Sequence, residues 1–122
     1  MTPLRQHFNA ERTDEAFVLS FKAPVRIDAT NIRQIQEEME GIVEVKEGQK
    51  VAIDCKNILY LYSGFLGELI GLHRRLEEVR GILVLCELRP EIRRIFELTT
   101  LDHFFHLSET RQDAMQFLKT VS

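Results

Sequence analysis

Val51-Ala52-Ile53-Asp54, followed after a short connection by Tyr62-Ser63-Gly64-Phe65-Leu66-Gly67, is the stretch on which the fold turns. Three apolar residues closed by a carboxylate read as a strand buried on both faces. The second segment reads as a turn that sets a serine where a helix begins. A hydroxyl at that point can cap the free backbone N–H groups of the first helical turn. It also lies at the positive end of the helix dipole, where a phosphate is electrostatically favoured. Ser63 is therefore either a plain cap or a phosphorylation switch.

Outward from this stretch, strand-like and helix-like segments alternate. Phe17, Leu19 and Phe21 have the period of a half-buried strand, and Pro24 bends the chain before Val25-Arg26-Ile27. Asp28 or Thr30 is placed to cap a helix whose apolar positions are Ile32, Ile35, Met39 and Ile42. A second helix is expected from Ser63 to about Val79, with Leu66, Leu69, Ile70, His73 and Leu76 on one side and Gly81 as its stop. Ile82-Leu83-Val84-Leu85-Cys86 reads as another fully buried strand. Pro90 suits the first position of a third helix lined by Ile92, Ile95, Phe96 and Thr99. Phe104, Phe105 and Leu107 suggest the last strand, and Thr110 with Asp113 has capping-box spacing before a terminal helix carrying Met115 and Leu118. Residues 1–14 read as a polar lead-in with room for an edge strand, and 15–122 as one domain. Such alternation implies parallel strands joined by right-handed crossovers. The expected fold class is α/β: a mixed four- to five-stranded sheet with helices packed against it.

The motif around Ser63 resembles that of the STAS domain family of bacterial anti-sigma factor antagonists. In that family an aspartate ends a hydrophobic strand and Asp-Ser-Ser-Gly-Leu-Gly opens a helix. Here Tyr62 stands at the aspartate and Ser63 at the phosphorylated serine. Gly64 and Phe65 replace the second serine and the glycine, while Leu66 and Gly67 match. Arg26-Ile27-Asp28 is similar to the family's strand-ending aspartate before its first helix. Pro90-Glu91-Ile92-Arg93-Arg94-Ile95-Phe96-Glu97-Leu98-Thr99 resembles its third helix. The likeness covers about residues 15 to 118. It implies an interaction module that captures an anti-sigma factor or related serine kinase and is released by phosphorylation of Ser63. The implied partner-binding residues are Asp28, Asp54, Lys56, Asn57, Tyr62, Ser63, Gly64 and Phe65, with Lys56–Tyr62 as a loop. The rival reading keeps the fold without the switch, as a scaffold or small-ligand-binding module in a sensory assembly.

Composition narrows the remaining classes. At 122 residues, with 44% apolar and 29% charged side chains, the chain can bury one core without disulfides or metal. A net charge of −3 supplies no field for direct nucleic-acid binding. No apolar run approaches the roughly 18 residues of a membrane helix, and no signal-peptide pattern opens the chain. A cytoplasmic location is expected. Cys55 and Cys86, each ending an apolar run, read as small buried hydrophobes. Glu37, Glu38, Glu40, Glu44 and Glu47 early, and Arg74, Arg75, Arg80, Arg89, Arg93 and Arg94 late, read as solvated helix faces.

Other chemistry is weaker. Asp28 and Asp54 are expected at one edge of the sheet, and two carboxylates near a serine raise acid–base catalysis. No histidine or lysine base is placed beside Ser63, so no enzyme is expected. Tyr62 and Phe65 are either core residues or aromatic anchors for a partner. His103 and His106 have ligand-like spacing without a third strong ligand and read as surface histidines; no metal or cofactor is expected. His73 reads as a hydrogen-bonded residue at the core rim. No glycine motif for a nucleotide is present.

Overall fold

The computed structural model describes residues 6–14 and 16–121; the first five residues of the lead-in lie outside them. The elements run β1 (Phe8–Arg12), β2 (Phe17–Phe21), β3 (Val25–Ile27), α1 (Ile32–Ile42), β4 (Lys50–Asp54), β5 (Ile58–Leu61), α2 (Ser63–Glu78), β6 (Ile82–Cys86), α3 (Pro90–Leu98), β7 (His106–Ser108) and α4 (Arg111–Thr120). A five-stranded sheet has the order β1-β2-β4-β6-β7, and β3 and β5 form a separate two-stranded sheet. The β1–β2 pair is antiparallel, and the other neighbours in the large sheet are parallel. The mixed α/β class read from the sequence is the class found, with β4 and β6 as adjacent inner strands.

Strand alternation divides the core in two. On β4, Val51 and Ile53 join the large cluster beneath α1, α2 and α3, while Ala52 joins the small cluster beneath α4. On β6, Leu83 and Leu85 point the first way and Val84 and Cys86 the second. Both faces are covered, so these strands are continuously apolar, as buried parallel strands require. The lead-in contributes more than its polarity suggests. Phe8 is fully buried and packs on Phe21 at 4.5 Å between ring centroids. The backbone N–H groups of His7 and Phe8 donate to the Glu38 carboxylate, at 2.9 and 3.0 Å to Oε1. Burial alone would raise the Glu38 carboxyl, but the His7 and Phe8 bonds outweigh it and hold it below the usual glutamate range. Glu38 thus leaves the solvated face to which its charge run assigned it.

Helix ends differ from expectation in instructive ways. The residue before α1 is Asn31, not Asp28 or Thr30, and its side chain turns back to donate to the Arg26 carbonyl. At the end of α2, Arg80 rather than Gly81 takes the left-handed conformation, with φ 60°. Gly81 N–H donates to Leu76 O at 2.7 Å and Arg80 N–H to Glu77 O at 3.0 Å, a complete Schellman closure. Gly81 is required for another reason: a Cβ there would stand 2.3 Å from the Gln49 carbonyl oxygen. The last strand starts at His106, so Phe104 and Phe105 belong to the turn before it. Thr99 is exposed and closes α3 instead of lining it. Thr110 caps α4 as its spacing predicts, its side chain accepting from Asp113 N–H.

Helix α4 is fastened by charge at both ends. Arg111 donates from Nε and Nη2 to Asp54 Oδ2 at 3.1 and 3.0 Å, and its backbone N–H donates to Glu87 Oε2 at 2.7 Å. At the other end Lys50 Nζ donates to the Leu118 and Val121 carbonyls at 2.6 and 2.7 Å. Asp54→Asn removes the buried anion from this clamp. It should cost about 2–3 kcal/mol in chemical denaturation, below the ~3–5 kcal/mol of a wholly buried pair, because Arg111 retains contact with water. A parent-like midpoint would show that α4 docks without the pair.

His73 sits deeper than the rim. It is 5% exposed, with ring centroids 4.7 Å from Phe104 and 5.6 Å from Phe105. Its Nε2 is 3.3 Å from Glu77, and its buried Nδ1 has no hydrogen-bond partner among the described residues. Burial holds its pKa below the ordinary histidine value, against the pull of Glu77, and His106 and Arg74 act in the same sense as burial. The unfolded ring takes up a proton near its ordinary value, while the folded ring resists to lower pH. Stability from the neutral ring is therefore full above about pH 6.5 and lost as pH falls through the folded value. His73→Phe should lose less stability than the parent between about pH 7 and pH 5 in denaturation series. Parallel slopes would remove His73 from the acid response.

Candidate functional site at the start of helix α2

The two-stranded sheet builds this site. β3 and β5 run parallel, with Ile27 paired to Leu61, so the chain leaves both strands side by side at Asp28 and Tyr62. Helix α2 begins at the next residue, Ser63. The helix is held by Phe65, Leu69, Leu72 and Leu76, all buried in the large core, at the helical spacing that faces one side. That anchoring fixes the exposed first turn in place.

Ser63 is exposed and is the first helical residue; the N-cap is Tyr62, and no side chain caps the helix. The expectation that Ser63 caps α2 is thus corrected by one position. At the first helical position its hydroxyl makes no hydrogen bond among the described residues. The first turn contains no acidic residue, so the positive end of the dipole is uncompensated by side chains.

Tyr62 and Gly64 are physically coupled. A Cβ on Gly64 would meet Tyr62 Cζ and Oη at 2.5 Å, so the phenol ring lies over the space that a side chain at position 64 would fill. Tyr62 is half-buried and Gly64 exposed. Phe65, proposed from sequence as a possible anchor, is 1% exposed and sits edge-on to Phe21 at 6.5 Å. It belongs to the core and not to the surface. The spacing of Phe65 with Leu69, Leu72 and Leu76 carried that signal.

Asp28 stands beside this turn in a local loop. Its Oδ1 accepts from the N–H and hydroxyl of Thr30, and its own N–H donates to Asn31 Oδ1. The Thr30 hydroxyl bond first, and the Thr30 backbone bond next, keep its carboxyl below the ordinary aspartate value. Asp28 is thus a fixed negative group next to Tyr62 and Ser63.

The other sequence candidates lie elsewhere. Residues 56–62 are not a loop, because β5 occupies Ile58–Leu61. Asp54, Lys56 and Asn57 lie before β5, and the four-residue strand separates them from Ser63 by roughly 13 Å. Asp54 is 2% exposed and bound to Arg111, which corrects its placement on a partner-facing surface. Nor do Asp28 and Asp54 end strands of one sheet, since β3 pairs only with β5. Asn57 is half-buried, and its Nδ2 donates to the Phe21 carbonyl at 2.8 Å. Lys56 is exposed, while its carbonyl accepts from Arg89 Nε at 2.7 Å. Sequence reasoning missed Arg26, whose guanidinium lies 4.8 Å over the Tyr60 ring on the outer face of the small sheet. Their pairing follows from the β3–β5 register, which no local pattern announces.

Ser63 has no hydrogen bond to a histidine or lysine among the described residues, and His73 lies ten residues along α2, about 15 Å away by helical rise. His103 is almost fully exposed, and His106 packs against Phe117 at 5.1 Å. Cys55 and Cys86 are buried free thiols; burial raises both, Cys86 to about 12. Among the described residues no helix is long and apolar enough to cross a membrane.

The STAS domain family model matches residues 7–114. BtrV of Bordetella bronchiseptica, named as an anti-sigma factor antagonist, is 30% identical over 94 residues, covering 77% of this chain and 80% of BtrV. A STAS protein structure from Planctomyces limnophilus superposes with a TM-score of 0.84 at 22% identity, covering 93% of this chain and 98% of that one. The anti-sigma factor antagonist SpoIIAA in its unphosphorylated form, and the Bacillus cell fate determinant SpoIIAA in its phosphorylated form, are similar in fold. Their TM-scores are 0.70 and 0.60 at 20% and 21% identity, covering 94% and 91% of this chain and 98% of each. The strand order, the serine at the opening of α2 and these matches together place the chain in the STAS domain family.

Proposed function

We propose that this protein is an anti-sigma factor antagonist: a cytoplasmic, non-enzymatic module that binds an anti-sigma factor with serine kinase activity and is released by phosphorylation of Ser63. The observation that carries the reading is the exposed Ser63 hydroxyl at the first position of a 16-residue helix with no acid in its first turn. The names of the relatives support the partner class, and SpoIIAA supports the compatibility of a phosphate with the fold. The contact surface is Asp28, Tyr62, Ser63 and Gly64, extended over the small sheet by Arg26, Tyr60 and Lys56. Asp54 and Asn57 act behind it by fixing the turn into β5.

The physics of the switch is an asymmetry. A phosphoserine adds roughly two negative charges, which a solvated helix N-terminus accepts. The same charge inside a closed interface loses its water, and neighbouring Asp28 adds repulsion. Tyr62, whose ring lies over Gly64, is the feature the partner must read or displace.

Ser63→Asp should therefore leave the denaturation midpoint unchanged or raise it, by about 0.3–1 kcal/mol. It should weaken binding to the captured anti-sigma factor by about 2–5 kcal/mol in a calorimetric titration. Ser63→Ala breaks no cap, so it should change stability by no more than about 0.5 kcal/mol, keep binding, and abolish phosphate incorporation. Parent-like binding by Ser63→Asp would support the scaffold reading without a switch.

A further inference from the structure

Helices α1 and α2 leave between them a cleft of about 300 Å³, walled by Met39 and Val43, by Val45 beyond α1, and by Leu72 of α2. That lies at the lower end of small-ligand pockets, roughly 300–1,000 Å³. Three charged side chains also line it: Glu40, Glu68 and Arg75. Glu68 is the unusual one. Its side chain is 9% exposed, and its Oε1 is buried without a hydrogen-bond partner among the described residues.

Arg75 shields this oxygen without satisfying it. Its Nη2 stands 4.0 Å from Glu68 Oε1, beyond hydrogen-bond reach. The arginine lies back along the helix over Gly71, where an added Cβ would be 3.4 Å from Nη1. With 44% of its side chain exposed, Arg75 can swing outward into water. Burial, and next the charge of Glu40, push the Glu68 carboxyl above the ordinary glutamate value, against the smaller opposing pulls of the Arg75 charge and of a Gln36 side-chain hydrogen bond to the carboxylate. A cation that donates a hydrogen bond to Oε1 would relieve both effects.

We propose that this cleft binds a small molecule with a primary ammonium group on a short apolar body. The ammonium displaces the Arg75 guanidinium and donates to Glu68 Oε1, while the body lies between Met39, Val43 and Leu72. Glu40 adds a second negative charge at the mouth. A carboxylate ligand is repelled by the two glutamates, and a neutral alcohol forfeits the charge-assisted bond. The site stands apart from Ser63 and does not depend on the phosphorylation reading.

The test is an amide-resolved NMR titration of the full chain with hexylamine, 1-hexanol and hexanoate. Hexylamine should give saturable shifts at Met39, Val43, Glu68 and Leu72, hexanol should bind about tenfold or more weakly, and hexanoate should give no saturable shifts there. Glu68→Gln keeps the shape and removes the charge; with its fold checked by circular dichroism, it should weaken hexylamine by about tenfold or more. Arg75→Ala removes the competing cation without touching the apolar walls and should tighten hexylamine binding. Equal affinities for hexylamine and hexanol, shifts outside the cleft, or parent-like binding by Glu68→Gln would overturn the proposal. So would unchanged or weaker binding by Arg75→Ala, which keeps the test decisive if Glu68→Gln fails to fold.

Discussion

The electrostatic clamp on α4 is the constraint from which much of the architecture follows. The fully buried part of the sheet face that α4 covers is made of small side chains, Ala16, Val18, Ala52, Val84 and Cys86, against Ala114 and Leu118, with Ile82, Met115, Phe117 and Val121 only partly buried around it. Such a face buries little area per residue, so the apolar contribution is modest. Charge completes the closure: Asp54 and Glu87 hold one end of the helix through Arg111, and Lys50 holds the other. The same Asp54 accepts the Lys56 N–H at 3.0 Å, which fixes the turn out of β4. Asn57 ties that turn to the end of β2, and β5 departs from it toward Tyr62 and Ser63. The candidate surface is thus positioned by a charge pair on the opposite face of the sheet.

What was legible in the sequence was local or continuous. Val51–Ile53 and Ile82–Cys86 could be read because a strand buried on both faces has no polar interruption. The cap of α4 could be read because Thr110 and Asp113 interact within one turn. The failures are non-local. Asp54 reads as a strand-ending carboxylate on a partner-facing edge until Arg111, far along the chain, arrives beside it. Ile58–Leu61 reads as loop because a short strand depends on a partner, and its partner β3 is only three residues long. Glu38 belongs to an acidic run on α1, yet its carboxylate is drawn inward by the amides of the first strand. Phe65 is a different kind of error. The helical phase places it with Leu69, Leu72 and Leu76, and that periodicity, not the motif, matches its burial.

The pair Tyr62 and Gly64 also changes how the motif should be read. Taken one at a time, a tyrosine for an aspartate and a glycine for a serine are two losses from the family pattern. In space they are one substitution, because the ring occupies the volume that the missing side chain leaves. Negative charge is not wholly lost from the turn either. Asp28, emerging beside Tyr62 from the paired strand, is held ionised by Thr30. The surface has exchanged a carboxylate on the helix side for an aromatic face, while retaining one on the strand side. On the proposed reading, a partner complementary to it would offer an apolar or cationic group to the phenol rather than a hydrogen-bond donor to an aspartate.

The one-residue offset of Ser63 from the cap bears on whether a switch can work at all. A capping serine satisfies a backbone N–H, so modifying its hydroxyl disturbs a bond on which the helix relies. Here Tyr62 holds the cap position through its backbone, and the Ser63 hydroxyl makes no hydrogen bond among the described residues. A group without such a bond can be modified while the core residues Phe65, Leu69 and Leu72 keep the helix in place. Its phosphate would still meet the free amides at the helix start, because the dipole acts over the first turn. The fold is therefore nearly indifferent to the charge, and a desolvated interface is not. On the proposed reading, that difference in sensitivity, set by one residue of register, would let a small covalent change act on association without acting on folding.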